Sequence, residues 1–172
     1  YIVKKLLIIT GLFLMLFLNG ANQTFASDID KVKIISEIGT LSNNEKYDEA
    51  LEMCDSALKT YPNEPDLYYW SATIKSYTGN KKAALEDYNK VIELKPNDSN
   101  AYVMRGICKS DLGDPAGAIE DFNTALKINP KDSSAYSMRA CARIDLGDLT
   151  GANEDLNIAN QLYDETTQDK TK

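Results

Sequence analysis

Landmark residues recur along this chain every 34 residues. The residues that keep this spacing are Pro62, Pro96 and Pro130; Gly79, Gly113 and Gly147; Tyr68, Tyr102 and Tyr136; and Ala50, Ala84, Ala118 and Ala152. Laying residues 99–132 over residues 133–166 gives 15 identical positions out of 34. A fixed period of this length is typical of stacked arrays, in which each unit buries its apolar face against its neighbours. The chain is therefore predicted to be a repeat protein.

The unit at residues 99–132 indicates how one period folds. A helical stripe of apolar residues ends near Leu112, and Gly113 can supply the left-handed residue that commonly ends a helix. Asp114 can cap a second helix, and Pro115 fits the first turn of that helix. The second helix has a single apolar face, which consists of Ala118, Ile119, Phe122, Ala125 and Leu126. Each unit is thus predicted to be a pair of antiparallel helices.

Small residues are expected where the two helices of a unit cross. Gly106 and Ala118 would let the helix axes approach closely, because they carry no side chain or only a methyl group. Tyr102 and Phe122 would fill the space beside the crossing.

This pattern resembles the tetratricopeptide repeat family, whose 34-residue unit has an aromatic at position 4, Gly or Ala at 8, Ala at 20, an aromatic at 24, Ala at 27 and Pro at 32. The third unit matches throughout, with Tyr102, Gly106, Ala118, Phe122, Ala125 and Pro130. The second unit has Tyr68, Ala72, Ala84, Tyr88, Val91 and Pro96. The fourth has Tyr136, Ala140, Ala152, Leu156 and Ala159, with Asp164 in place of proline. The first is degenerate and keeps Ala50, Ala57 and Pro62.

The resemblance implies an all-α fold, a right-handed superhelical solenoid of antiparallel helix pairs. Its domain would span residues 27–165, with about four repeats near 31–64, 65–98, 99–132 and 133–166. The polar residues 166–172 are predicted to form a disordered tail.

The resemblance also implies that the first helices line a concave groove that holds a protein or peptide. The groove-facing positions correspond to Tyr69, Trp70, Thr73 and Tyr77 in the second unit, to Asn100, Val103, Met104, Ile107 and Asp111 in the third, and to Met138, Cys141 and Asp145 in the fourth. Aromatic and Met side chains among them favour an apolar or amphipathic partner segment. The alternative is that some of these residues pack between units or against the helix of the first unit. The Lys, Asn and Arg clamp with which one subclass grips C-terminal carboxylates is absent.

Residues 1–26 have the features of a secretory signal peptide. Lys4 and Lys5 precede an apolar run from Leu6 to Leu18, and small residues lead to Ala26. The rival interpretation is an uncleaved anchor, but a spanning helix needs about 20 apolar residues and this run is shorter. We expect an exported protein, periplasmic or extracellular, and less readily one anchored in the membrane.

The charge and residue types exclude several functions. Beyond residue 26 the chain has 17 basic and 26 acidic residues, which disfavours nucleic acid and anionic membrane surfaces as partners. The chain contains no histidine and no phosphate-loop, nucleophile or metal motif, so we expect no enzyme, no cofactor and no metal site. The alternatives to a protein-binding scaffold are a self-assembling structural protein, a possible homo-oligomer, and a membrane-tethered component of an envelope or secretion assembly.

Two other groups of residues allow more than one interpretation. Cys54, Cys108 and Cys141 lack the spacing of redox or zinc motifs and are expected to be small buried residues.

Charged residues recur at fixed positions of the repeat. Basic residues occupy positions 7 and 11, as Lys75, Arg105, Lys109, Arg139 and Arg143, and acids occupy position 23, as Asp87, Asp121 and Asp155. These residues would form either a basic ridge for an acidic partner or a ladder of ion pairs between helices, and the ladder is favoured.

Overall fold

The computed structural model describes residues 28–169, and all regular secondary structure in that range is helical. The helices are α1 (28–43), α2 (Tyr47–Thr60), α3 (Pro65–Tyr77), α4 (Lys81–Leu94), α5 (Ser99–Asp111), α6 (Pro115–Ile128), α7 (Ser133–Asp145) and α8 (Leu149–Asp169). The sequence predicts a disordered tail at 166–172, whereas α8 continues through Asp169. Residues 170–172 lie outside the described range. The predicted signal peptide at 1–26 also lies outside it.

Helix packing makes the array curved. Consecutive helices from α2 to α8 contact one another, and short turns join them, so they form antiparallel pairs. The first helices of successive units also contact each other, α3 with α5 and α5 with α7. Within the described residues, the second helices α4, α6 and α8 make no such contacts with one another. Closer spacing on one side places the first helices on the concave face and the second helices on the convex face.

A left-handed residue ends the first helix of each unit. Gly79, Gly113 and Gly147 have φ between +80° and +86°, as predicted for Gly113, and glycine tolerates this conformation without a steric cost. The equivalent residue in the first unit is Glu45, whose φ is +60°. The Asp114 side chain then accepts a hydrogen bond from the Gly117 amide, which confirms its predicted role as the cap of α6.

The predicted close crossing of α5 and α6 is also present. A Cβ atom built on Gly106 would lie 2.8 Å from the ring of Phe122 and 3.2 Å from the carbonyl oxygen of Ala118. Phe122 and Ala118 are both buried in the core of this unit.

The recurring basic and acidic side chains form a ladder of ion pairs. Arg105 donates from Nε and Nη2 to the two carboxylate oxygens of Asp121, at 2.9 and 2.6 Å, and Lys109 Nζ lies 2.9 Å from the same carboxylate. The remaining Nη1 of Arg105 donates to Asn89 of the preceding unit at 2.7 Å. Arg139, Asp155 and Asn123 repeat this geometry one unit later, and Lys75 pairs with Asp87 one unit earlier.

This geometry decides between the two interpretations of the basic residues. Asp121 and Asp155 are almost fully buried, and hydrogen bonding to Asp155 raises the pKa of Arg139. The cations are therefore turned onto acids of their own chain and join neighbouring units, so they do not form a ridge for an acidic partner.

Both ends of the described array combine polar with apolar side chains, because Ile29 and Val32 of α1 and Leu149 of α8 are exposed beside the polar residues. At positions 3 and 10 of the 34-residue repeat, α5 of the third unit has the buried residues Ala101 and Cys108. At the same positions, α1 of the first unit has the exposed residues Lys33 and Thr40. At the other end, positions that hold Ile119 and Leu126 in α6 hold exposed Asn153 and Asn160 in α8. The terminal units thus replace two covered positions by polar residues, as capping repeats do, while part of each terminal face stays apolar.

Candidate functional site

The concave face of α1, α3, α5 and α7, called the groove below, contains a pocket of about 210 Å³. The pocket is lined by Tyr69 of α3, by Asn100, Val103 and Met104 of α5, and by Asp132 and Ser134 at the beginning of α7. Four of the residues predicted for the groove therefore meet in one depression, where three successive first helices lie side by side.

The apolar strip along the groove is only partly accessible. Met104 is half-buried against Ala72, Ala84, Tyr88 and Cys108. Ile107 and Met138 are half-buried against the core of the third unit. Val103 lines the pocket but is only 7% exposed and belongs to that core, so the alternative of packing between units applies to most of its side chain. Its position at the seam between α5 and α7 removes it from solvent.

Trp70 points toward the first unit. A Cβ atom on Gly39 of α1 would lie 3.0 Å from the Trp70 ring, and Trp70 packs against the core formed by α1, α2 and α3. The alternative interpretation, that some groove residues pack against the first unit, therefore applies to Trp70.

Tyr69 and Thr73 belong to a small polar and aromatic cluster on the groove side of α3. The rings of Tyr69 and Tyr88 meet edge to face at a centroid distance of 5.8 Å. The Thr73 hydroxyl donates to the Tyr69 carbonyl at 2.8 Å and lies 3.1 Å from the Tyr88 hydroxyl. Burial, followed by the nearby Asp98 carboxylate, raises the pKa of Tyr69. Tyr69 thus offers one ring edge as a fixed wall of the pocket.

The remaining predicted groove residues are accessible. Tyr77 is 73% exposed, and Asn100, Asp111, Cys141 and Asp145 are exposed as well. Asp111 forms an ion pair with Lys81. The groove therefore has exposed polar and acidic residues around an apolar floor.

Asp132 is the pocket residue that sequence reasoning missed. It caps α7, since its Oδ1 accepts a hydrogen bond from the Ala135 amide at 3.0 Å. The signal for it was present, because an aspartate precedes the first helix of both the third and the fourth units, as Asp98 and Asp132.

The three thiols differ from one another. Cys54 and Cys108 are buried as expected, and burial raises the pKa of the Cys54 thiol to about 12. Cys141 is exposed, so the expectation of burial is wrong for this residue. It lies in α7 at the fourth unit, beyond which no fifth first helix covers the groove in the described chain.

Two family profiles, both described as tetratricopeptide repeat, match residues 65–98 and 99–132. Residues 65–132 therefore belong to the tetratricopeptide repeat family. This confirms the resemblance inferred above, and the matched residues are those of the second and third units. The comparison with curated proteins gives no significant match.

Solved structures share the fold of this tetratricopeptide repeat chain. A crystal structure of MamA superposes with a TM-score of 0.74 at 18% identity, covering 78% of this chain and 79% of that one. MamA 41-end from Desulfovibrio magneticus RS-1 gives 0.72 at 20% identity, with coverages of 77% and 75%. TTC0263, a thermophilic TPR protein in Thermus thermophilus, gives 0.69 at 23% identity, with coverages of 78% and 75%. The predicted all-α solenoid is therefore confirmed.

Residues 28–169 offer neither a membrane-spanning helix nor a metal site. None of the helices in this range is long and apolar enough to cross a membrane. No group of three acidic, Cys or His side chains in the same range could hold a metal ion.

Proposed function

We propose that this chain is an exported, non-enzymatic scaffold that holds a segment of a partner protein in its groove. The observation that carries the proposal is the pocket in which α3, α5 and α7 present Tyr69, Met104 and Asp132 together. A tetratricopeptide repeat fold supplies protein-binding surfaces rather than reacting groups, and the apolar floor with a polar rim has the composition of a contact surface.

The accessible groove residues suit an amphipathic segment. Half-buried Met104, Ile107 and Met138 offer adaptable apolar contacts, and exposed Tyr77 offers a large aromatic contact. An amphipathic helix could place its apolar face on this floor and leave its polar face to water.

The proposal of export rests on residues 1–26, whose basic start, apolar core and small residues before Ser27 favour a cleaved signal peptide. N-terminal sequencing of the mature protein tests it. A start at Ser27 supports export with cleavage, whereas retention of residues 1–26 in a membrane fraction would favour the tethered alternative.

Self-assembly by end-to-end stacking is the less favoured alternative. It would bury the terminal faces that contain the polar residues Lys33 and Thr40 at one end and Asn153 and Asn160 at the other. Such a contact would desolvate these polar groups, which offsets the gain from covering exposed Ile29 and Val32. Sedimentation equilibrium should therefore show a monomer at high concentration, and a concentration-dependent oligomer would reinstate this alternative.

A pair of photo-crosslinking variants tests the groove. A photoreactive phenylalanine replaces Tyr77, which is 73% exposed in the groove, or Leu149, which is 61% exposed on the second helix α8. Both positions are accessible, so the substitutions should leave helicity and melting unchanged.

The proposal expects a partner crosslinked from position 77 and not from position 149, with the adduct mapping to one segment of that partner. Equal yields from both positions, or adducts from position 149 alone, would place binding outside the groove. Adducts to a second copy of this chain from position 77 would show that the groove serves self-assembly.

A further inference from the structure

The described chain is strongly acidic, and its recurring cations pair with acids of the second helices. Residues 28–169 contain 15 basic and 26 acidic residues, a formal charge of −11. Lys75, Arg105, Lys109, Arg139 and Arg143 are held by Asp87, Asp121 and Asp155 inside the ladder. These five cations point at acids inside the fold and not into the pocket, although five cations and three acids leave the ladder a net charge of +2.

One of the six residues that line the pocket is acidic, namely Asp132. None of the six lining residues is basic. Asp132 uses Oδ1 to cap the Ala135 amide, and no lysine or arginine within residues 28–169 forms an ion pair with it. Asp98, which caps α5 through the Ala101 amide, likewise has no ion pair in that range, but Lys95 lies nearby: hydrogen bonding to Asp66 raises the pKa of Lys95, and the Asp98 charge contributes to that shift. Asp98 also lies close enough to Tyr69 to act on its hydroxyl. Asp145, further along the groove, is exposed.

The shape of the pocket complements this charge. Tyr69, Val103 and Met104 give an apolar floor and wall, and the Asp132 carboxylate stands at the edge. A long basic side chain could lay its methylene stem on Met104 and Tyr69 and bring its charged end to the carboxylate. An acidic or neutral side chain could use the floor but would gain nothing from Asp132.

We propose that the pocket between α3, α5 and α7 receives a lysine or arginine side chain of the partner, and that the groove therefore selects cationic amphipathic protein segments. This inference rests on the proposed function and specifies the chemistry of the partner. The occupant is a protein segment, since its apolar face must cover the Met104, Ile107 and Met138 floor while its cations meet the acidic rim.

Two aspartate substitutions isolate the charge in the pocket. Asp132→Asn removes the negative charge but keeps the cap of α7, because Asn and Asp are equivalent at that position. Asp114→Asn is the matched control: it removes the same charge from the cap of α6, where Asp114 is exposed and does not line the pocket. Both variants should keep wild-type helicity and unfolding midpoints.

The probes are three helical peptides of about 18 residues, or five turns, with one common Leu face and a polar face of Lys, Gln or Glu. Fluorescence anisotropy at about 150 mM salt gives their dissociation constants for the full chain and both variants. We expect the Lys peptide to bind most tightly and the Glu peptide least. Asp132→Asn should weaken the Lys peptide about fivefold and leave the Gln peptide unchanged, whereas Asp114→Asn should change neither by more than about twofold.

The outcomes separate this inference from the proposed function. Equal binding of the Lys and Gln peptides would overturn the cationic preference and leave an apolar groove intact. If Asp132→Asn and Asp114→Asn reduce the preference for the Lys peptide equally, the preference reflects the overall charge of the chain. That result would overturn the claim that the pocket receives the cationic side chain. Absence of binding by all three peptides would overturn the amphipathic occupant and the inference with it.

Discussion

Removing the Asp121 carboxylate should be one of the most damaging single substitutions outside the apolar core. Asp121 is 3% exposed and receives Nε and Nη2 of Arg105 at 2.9 and 2.6 Å, with Lys109 Nζ at 2.9 Å. Asp121→Ala leaves two cations around an empty acceptor site. Breaking a buried pair from one side costs about 3–5 kcal/mol. Side-chain exposures of 18% for Arg105 and 23% for Lys109 allow partial rehydration, so we expect about 3 kcal/mol.

The matched control is Asp66→Ala. Asp66 pairs with Lys95 at a similar 2.7 Å, but the two side chains are 51% and 46% exposed. Exposed pairs of this kind contribute about 0–1 kcal/mol. Asp66 also lies in the first turn of α3, where an acid gains a few tenths of a kcal/mol from the helix dipole. The loss for this variant should therefore stay below about 1 kcal/mol.

Urea unfolding followed by circular dichroism at the helix band measures both variants against the parent chain. The slope of the free energy against urea should be unchanged, which would show that each substitution alters stability rather than the extent of unfolding. A loss for Asp121→Ala as small as that for Asp66→Ala would refute the argument that buried ion pairs hold α5 and α6 together.

Three further results are expected. Glu45→Gly should raise the free energy of unfolding by about 0.5–1 kcal/mol in urea titrations, because it relieves a positive φ at a non-glycine residue; an unchanged or lower stability would contradict this. Stability should fall between pH 9 and 12, because burial raises the pKa of Cys54 to about 12 and also raises that of Tyr88, so the unfolded chain loses these protons first; equal urea midpoints at pH 8 and 11 would be inconsistent with that linkage. A thiol reagent should label Cys141 alone in the native chain and all three cysteines in urea. Rapid labelling of Cys108 in the native chain would show that this thiol is not buried.

The fold class could be predicted because local signals repeat in register. Gly113, Asp114 and Pro115 each act within one turn of the chain, so their effect does not depend on neighbouring units. The same reasoning could not find the left-handed conformation of Glu45. Glutamate gives no local signal for it, and the conformation comes from the place of Glu45 in the turn where the other units have glycine.

The groove was less predictable because exposure there depends on the next unit. The residue at position 5 is half-buried in the second unit, where it is Tyr69. In the third unit it is Val103, which α7 covers and which is buried. At position 6 of the second unit, the Trp70 side chain packs toward α1, because Gly39 leaves room for its indole ring. Asp132 was missed for a related reason: a cap is recognisable from local sequence, but its place in a pocket depends on the packing of α3 against α5 and α7.

Hydroxyl-radical footprinting of the unsubstituted chain, free and bound to the partner segment that crosslinking identifies, would test the central claim most directly, because oxidation reports the accessibility of individual side chains. If the groove holds the segment, oxidation of Tyr77, Met104 and Met138 should fall on binding, while that of Leu149 on the convex side should not change. Protection of Leu149 with unchanged oxidation of Met104 and Met138 would contradict the account and place the partner on the second helices.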